Sequence, residues 1–338
     1  MVIFGAGASY DSFPSSPAPA SPAFTDFEDR PPLASQLFAD RLDFRNLARK
    51  YPKCLPLIAD LEPRSGEGVS VEEFLEAYQG QADGEARSQL WAIRYYLRDV
   101  IQHCESRWDV RTRGVSNYSS LFNQVRRSGH VCFVTFNYDT LLEQSLRQFD
   151  LYFPSLGSYI NDSRCTLIKL HGSTDWSYWI RKRNTNMAQD EPTPDELIRG
   201  APPIDPNSAL LTRTDEVPTE TDGERYFKVP ALAIPVVSKS EFVCPGPHMA
   251  ALSALLPQVT HIAAIGWRAS EKHFLALLGR HLKQPVVTTA VCANETESNQ
   301  ILGRIHEAGI EGRFEHEADA FTHFVRSHQI ESFLKRTV

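Results

Sequence analysis

Val2-Ile3-Phe4 runs straight into Gly5-Ala6-Gly7-Ala8-Ser9, and that junction decides the fold. Three apolar residues followed at once by two closely spaced glycines read as a short buried strand ending in a tight turn. At the end of a strand in an α/β sheet, such a turn lets backbone amides approach a pyrophosphate with no side chain in the way. A purely structural glycine turn has the same sequence, so the segment leaves both readings open. The third glycine of a dinucleotide fingerprint is missing, because Tyr10 stands three positions beyond Gly7. A hydride-transfer dehydrogenase is therefore not supported.

Downstream, Phe13 to Pro32 is rich in Pro, Ser and Ala, the composition of an irregular, mobile loop beside the turn. It is either a lid over a ligand or a plain surface loop. Residues 33–128 read as a helical insertion. Leu90, Ile93, Leu97, Val100 and Ile101 recur at the three-and-four spacing of one buried helix face. Ser70 with Glu73 forms a capping-box pattern ahead of Phe74 and Leu75.

The pattern then changes period. Val131-Cys132-Phe133-Val134-Thr135 and Thr166-Leu167-Ile168-Lys169-Leu170 read as buried strands, each ending in a polar cluster. Residues 181–225 are polar and proline-bearing and predict a long surface excursion without regular structure. In the last third, strands near 231–237, 261–265 and 286–292 alternate with helices carrying Phe274, Leu277 and Leu278, then Ile301, Leu302 and Ile305. Such alternation implies a parallel sheet covered on both faces. Asp319 is the expected N-cap of a final helix through Phe321, Phe324 and Val325. The sum is one three-layer α/β domain, its core made of 1–32 and 129–338, with the helical insertion after the first strand.

A chain of 338 residues, 42% hydrophobic and 23% charged, can build a sizeable core. Its formal net charge of −7 argues against a global affinity for nucleic acid or acidic membranes. The six cysteines are scattered with no CxxC pair, so neither a zinc ribbon nor a disulfide framework is expected, and free thiols fit a reducing compartment. With no apolar run of spanning length and nothing like a signal peptide before Gly5, a cytoplasmic protein is expected.

The two polar clusters carry the chemistry. Thr135-Phe136-Asn137-Tyr138-Asp139 ends one strand, at the edge where parallel sheets present residues to ligands. Asp139 also suits a simple helix cap before Thr140. Lys169-Leu170-His171-Gly172-Ser173 ends the other, with a glycine expected to turn the chain sharply and leave the imidazole exposed. Histidine exchanges protons near neutral pH. Taken singly, His171 reads equally as a structural residue.

In this order, GAGAS, TFNYD and KLHGSTDW resemble the motifs of the sirtuin superfamily, and of its bacterial NAD-hydrolase branch in particular. The resemblance implies a Rossmann-like core that binds NAD, as substrate, in a crevice. It implies that Gly5, Ala6, Gly7 and Ser9 line the phosphates and ribose, with Thr135 and Gly266 also at the cofactor. Asn137 and His171 become the catalytic pair, Asp139 a partner of the nicotinamide carboxamide, and Asn294 a contact of the adenosine ribose. Two departures matter. Gly266-Trp267-Arg268 stands where the family often has Gly-Tyr-Ser, so Arg268 either replaces a hydroxyl contact with a phosphate contact or is an ordinary surface arginine. The four zinc cysteines of protein deacylases are absent, which favours water as the acceptor and predicts no metal.

The resemblance thus implies release of nicotinamide and ADP-ribose, within an anti-phage defence that depletes NAD. It further implies a homo-oligomer, triggered by a separate defence protein such as a nucleic-acid motor, with no membrane and no direct nucleic-acid contact. Two other readings stay open: NAD-dependent deacylation or ADP-ribosylation of a protein, and a non-catalytic module that senses NAD or ADP-ribose.

Overall fold

The computed structural model describes residues 1–18, 29–62, 74–75, 77–78, 84–181, 193–202, 204, 210–216, 226–234, 242–317 and 320–337. The capping-box pair Ser70 and Glu73, and Asp319, lie outside them.

Six parallel strands form the central sheet: β1 (Val2–Phe4), β2 (Val131–Thr135), β3 (Cys165–Lys169), β7 (His261–Ile265), β8 (Val286–Val291) and β9 (Gly312–Glu317). Their spatial order is β3-β2-β1-β7-β8-β9. The first strand sits in the middle. The chain builds outward to one side through β2 and β3, then returns to build outward on the other side through β7, β8 and β9. This is the doubly wound, Rossmann-like order, whose direction reverses between β1 and β7.

Side-chain alternation along the strands divides the interior in two, as a period of two requires. Phe4, Phe133, Leu167, Ile265 and Val287 face one core, which is roofed by the insertion and by Phe321, Phe324 and Phe333. Ile3, Val134, Ile168, Ala264 and Ala290 face the other, covered by helices that carry Leu252, Phe274, Leu278, Ile301 and Ile305. The three-layer α/β architecture expected from the sequence is the one observed.

Within the insertion, the long helix Gly84–Thr112 buries Leu90, Ile93, Leu97, Val100 and Ile101, the face its spacing predicts. Helix Asn117–Val125 follows it and carries Tyr118 beneath the sheet's carboxyl end, where its ring meets Phe4 at 5.0 Å.

The excursion departs from expectation. Residues 181–225 contain a helix, Pro194–Gly200, and a strand, β5 (Leu210–Arg213). The strand expected at 231–237 is observed as β6 (Tyr226–Leu232), outside the main sheet; residues 235–237 are outside the described set. With β4 (Gly172–Arg181) at its centre, this segment makes a separate antiparallel sheet, β5-β4-β6. Pro230 hid it, since a proline within a strand is tolerated at a sheet edge, where β6 lies, but weakens any sequence reading of a strand. The helix expected to end the chain, Phe321–Arg326, has Ala320 at its N-cap position and is followed by one more helix, Gln329–Phe333.

No helix among the described residues is long and apolar enough to cross a membrane.

Candidate active site

At the carboxyl end of the sheet, over the reversal between β1 and β7, lies a cleft of about 610 Å³. That is within the range of small-molecule sites. The glycines build its floor by letting two loops interlock. A Cβ on Gly5 would stand 2.5 Å from the carbonyl oxygen of Gly266, and one on Gly7 would stand 2.9 Å from the Gly266 Cα. Gly266 itself has φ +59°, and a Cβ there would meet the Ala8 nitrogen at 2.3 Å. Gly7 N donates to Gly266 O (3.1 Å). Neither Gly5 nor Gly7 has positive φ, so the demand for glycine comes from close approach, and the short helix Ala6–Tyr10 starts directly after Gly5. Gly5, Ala6, Gly7 and Gly266 all line the cleft.

Beside this floor, Ser9 is a saturated hub. Its hydroxyl donates to Asp139 Oδ2 (2.7 Å), receives Asn137 Nδ2 (2.9 Å) and meets the Tyr118 hydroxyl (2.9 Å). One donor and two acceptor sites are all a serine hydroxyl has, so Ser9 positions its neighbours instead of being free for a phosphate. Asn137 Nδ2 also donates to Gly5 O (2.9 Å), which uses both amide hydrogens. Its Oδ1 has no hydrogen bond to a described residue and is not enclosed, so it is the atom left to accept one from a ligand in the cleft. Thr135 does not line the cleft; its buried Oγ1 accepts the Asn137 backbone N–H (3.0 Å) and so aims that residue.

Asp139 is buried and does cap the following helix, accepting from Leu141 N (3.2 Å) while lining the cleft. Burial pushes its carboxyl above the ordinary range, and the nearby Lys169 cation and the Ser9 hydroxyl oppose that rise. Lys169 is fully buried; its Nζ donates to the Asp139 carbonyl (2.5 Å) and pairs with Glu143 (2.9 Å). Burial disfavours the Lys169 charge, but Glu143, Asp175 and Asp139 outweigh it and hold the ammonium protonated. A buried pair of this kind stabilises little in net terms, yet losing one partner costs about 3–5 kcal/mol. The bond from Lys169 to Asp139 ties the end of β3 to the loop after β2.

His171, two residues past Lys169, was expected to be exposed. It is instead 2% accessible while lining the cleft. Phe136 meets its ring edge-on at 4.9 Å, and its backbone pairs with Val243 and Ala233. Gly172 turns the chain as expected, with φ +79°, but into the second sheet: a Cβ there would lie 1.9 Å from Ala231 O. Phe136, which also lines the cleft, stacks on Trp267 at 5.3 Å.

The far wall is more open. Asn294 is exposed and caps helix Glu295–Glu307 by accepting from Glu297 N (2.9 Å). Arg268 is exposed, and its carbonyl accepts from Arg304 Nη1 (2.6 Å). The Cys292 thiol, also on this wall, is pushed up to about 11 by burial and is no nucleophile at neutral pH.

The loop after helix Ala6–Tyr10 contributes Ala18, Pro31, Pro32 and Leu33 to the cleft rim. It was expected to be mobile, yet both described ends are clamped by Arg30, which is fully buried over Trp108 and donates to Tyr10 O (2.7 Å) and Ser16 O (2.6 Å). Tyr118, Lys169, Asp11 and Arg30 were not singled out from the sequence. None sits in a strand-end motif that marks it, except Lys169, whose place inside a buried strand was itself the signal of a paired charge.

No family model matches this chain, and no curated protein matches it.

Proposed function

We propose that this protein is an NAD hydrolase that cleaves the bond between nicotinamide and ribose, releasing nicotinamide and ADP-ribose. The observation that carries the reading is that Asn137 and His171, 34 positions apart in the chain, line one cleft together with the Gly5–Gly7 floor at the reversal point of a doubly wound sheet. Ligands of such sheets bind at that point.

The nicotinamide nitrogen of NAD is cationic, so when the C1′–N bond breaks its electron pair neutralises the leaving group and no acid is needed. What must be stabilised is the ribosyl cation. Asn137, held by Gly5 O, Ser9 and Thr135, offers Oδ1 to a ribose hydroxyl or to the incoming water. His171 accepts the proton that water loses as its oxygen bonds to C1′. The Asp139 oxygens each retain a lone pair for the carboxamide N–H groups. The absence of a deacylase zinc module from the sequence favours water over an acyl-lysine acceptor. By the same resemblance, the activity serves as a cytoplasmic NAD-depleting effector in anti-phage defence.

Purified protein incubated with NAD, with and without the product of a neighbouring gene, and followed by chromatography with mass detection tests this. Nicotinamide and ADP-ribose in equal amounts without added peptide is the expected result. Acetyl-ADP-ribose or an ADP-ribosylated protein would assign a different acceptor, and binding without turnover would make the protein a sensor.

A further inference from the structure

A second hollow, of about 710 Å³, lies away from the candidate active site, between helix Asn117–Val125 and the helices Phe321–Arg326 and Gln329–Phe333. Its charge is opposite to that of the whole protein. Arg127, Arg326 and Lys335 line it and have no ion-pair partner among the described residues, and one acidic residue, Glu331, joins them on the lining, its carboxylate 3.1 Å from His328 Nδ1. In a chain of net charge −7, three cations without an ion-pair partner among the described residues, set against one carboxylate, make the hollow locally positive.

Its inner wall holds a second, independent feature. Asn117 is fully buried, and its Nδ2 donates to Asp11 O (2.6 Å) and Thr322 Oγ1 (2.7 Å), which fixes the orientation of the amide. The Asn117 Oδ1 is then left buried with no partner. Gln124 repeats the arrangement two turns along the same helix face: Nε2 donates to Val325 O (3.0 Å), and Oε1 is buried without a partner. Folded proteins satisfy nearly all buried acceptors, and each orphan is destabilising. Two such oxygens behind a cationic rim call for a molecule that brings both negative charge and N–H donors.

We infer that this hollow is a second ligand site, for a phosphorylated small molecule carrying an exocyclic amine, the chemistry of an aminated mononucleotide. The phosphate is held by Arg127, Arg326 and Lys335, and the amine end turns toward Gln124 and Asn117 after a small side-chain adjustment. The wall is shared with the larger cleft, because Asp11, which accepts the Asn117 amide on its carbonyl, lines that cleft. The assignment does not depend on the activity proposed above.

The test is calorimetric titration of AMP into the full-length protein, with the variants below separating this hollow from the larger cleft. Inosine monophosphate, ribose 5-phosphate and inorganic phosphate serve as comparison probes, together with a short single-stranded RNA. AMP is expected to bind with one site per chain, at least about tenfold more tightly than inosine monophosphate or ribose 5-phosphate. Arg127→Ser combined with Arg326→Ser is expected to weaken AMP at least about tenfold, and these residues are exposed, so the variant folds. Gln124→Met is expected to erase the preference for the amine while leaving ribose 5-phosphate binding unchanged. The inference is overturned if AMP does not bind, if its affinity survives the double arginine change, or if only the RNA binds.

Discussion

At the β1–β3 side of the cleft, Ser9, Asn137, Asp139 and His171 are all buried and held by one another or by Tyr118, Thr135 and Phe136. At the β7–β8 side, Arg268, Asn294, Glu297 and Arg304 are exposed and hold only local contacts. The first half is preorganised, so its polar groups need little rearrangement when charge develops, as a reacting centre requires. The second half is open to solvent, which suits a part of the ligand that is only held. The contrast teaches that substitutions on the two sides should affect different kinetic quantities.

The largest effect belongs to the buried half. His171→Gln is expected to lower the rate of NAD loss about 10²–10⁴-fold with the fold retained, as judged by nicotinamide release and thermal unfolding together. Asn137→Ala should match it in activity but also destabilise the protein by about 1–3 kcal/mol, because Gly5 O and Ser9 lose a buried donor. An active His171→Gln would break the comparison at once.

Next comes the interlock beneath both halves. Gly266→Ala forces a Cβ to 2.3 Å from the Ala8 nitrogen at φ +59°, and the expected outcome is a loss of more than about 2 kcal/mol in chemical denaturation. Stability equal to wild type would mean that the two loops are not locked.

Smaller again is Tyr118→Phe, which removes the hydroxyl that meets Ser9. A drop in kcat of about tenfold with KM little changed is expected. Arg268→Ala, on the open side, should do the reverse and raise KM by up to about tenfold with kcat held. If the two substitutions produced the same kinetic signature, the division of labour would be wrong.

The last effect is one of pH, on stability instead of rate. Glu105 is buried behind Asp139, accepting from Thr140 N (3.2 Å) and Gln144 Nε2 (2.6 Å). Burial, with the Asp139 charge added, raises its carboxyl to about 8, against the opposing pull of the Thr140 donors. Between its ordinary range and about 8 the folded protein therefore binds a proton that the unfolded chain has released. Stability contributed by the neutral form is full below the ordinary carboxylate range and is lost as pH rises toward 8. Glu105→Gln should flatten the fall in unfolding free energy between pH 5 and pH 8, and an unaltered slope would remove this group from the account.

Much of this was legible in the chain. The strand at Val2–Phe4 with its two glycines, the five buried positions of the long helix, and the strand ends bearing Asn137 and His171 follow from period and local composition alone. Of the expected site residues all but Thr135 line the cleft, and Thr135 stands directly behind Asn137. What stayed hidden depends on partners far apart in sequence. Tyr118 meets Ser9 across 109 positions, and nothing near Tyr118 announces that hydroxyl's role. The burial of His171 arises from Phe136 and Val243, and the second sheet was masked by Pro230 and by a four-residue strand. The structural need for Gly5 and Gly7 was likewise invisible, since it is set by Gly266, in the turn just past β7, which the sequence reaches more than 250 positions later.

The central claim is that an amide oxygen and an imidazole act on the same sugar carbon. A crystal structure of the His171→Gln protein soaked with NAD tests it most directly. The account predicts the nicotinamide ribose seated between Asn137 Oδ1 and the side chain at 171, with C1′ or an attached hydroxyl within about 3–3.5 Å of Asn137 Oδ1. NAD bound with that ribose against Arg268 and Asn294, or lying outside the cleft, would contradict it.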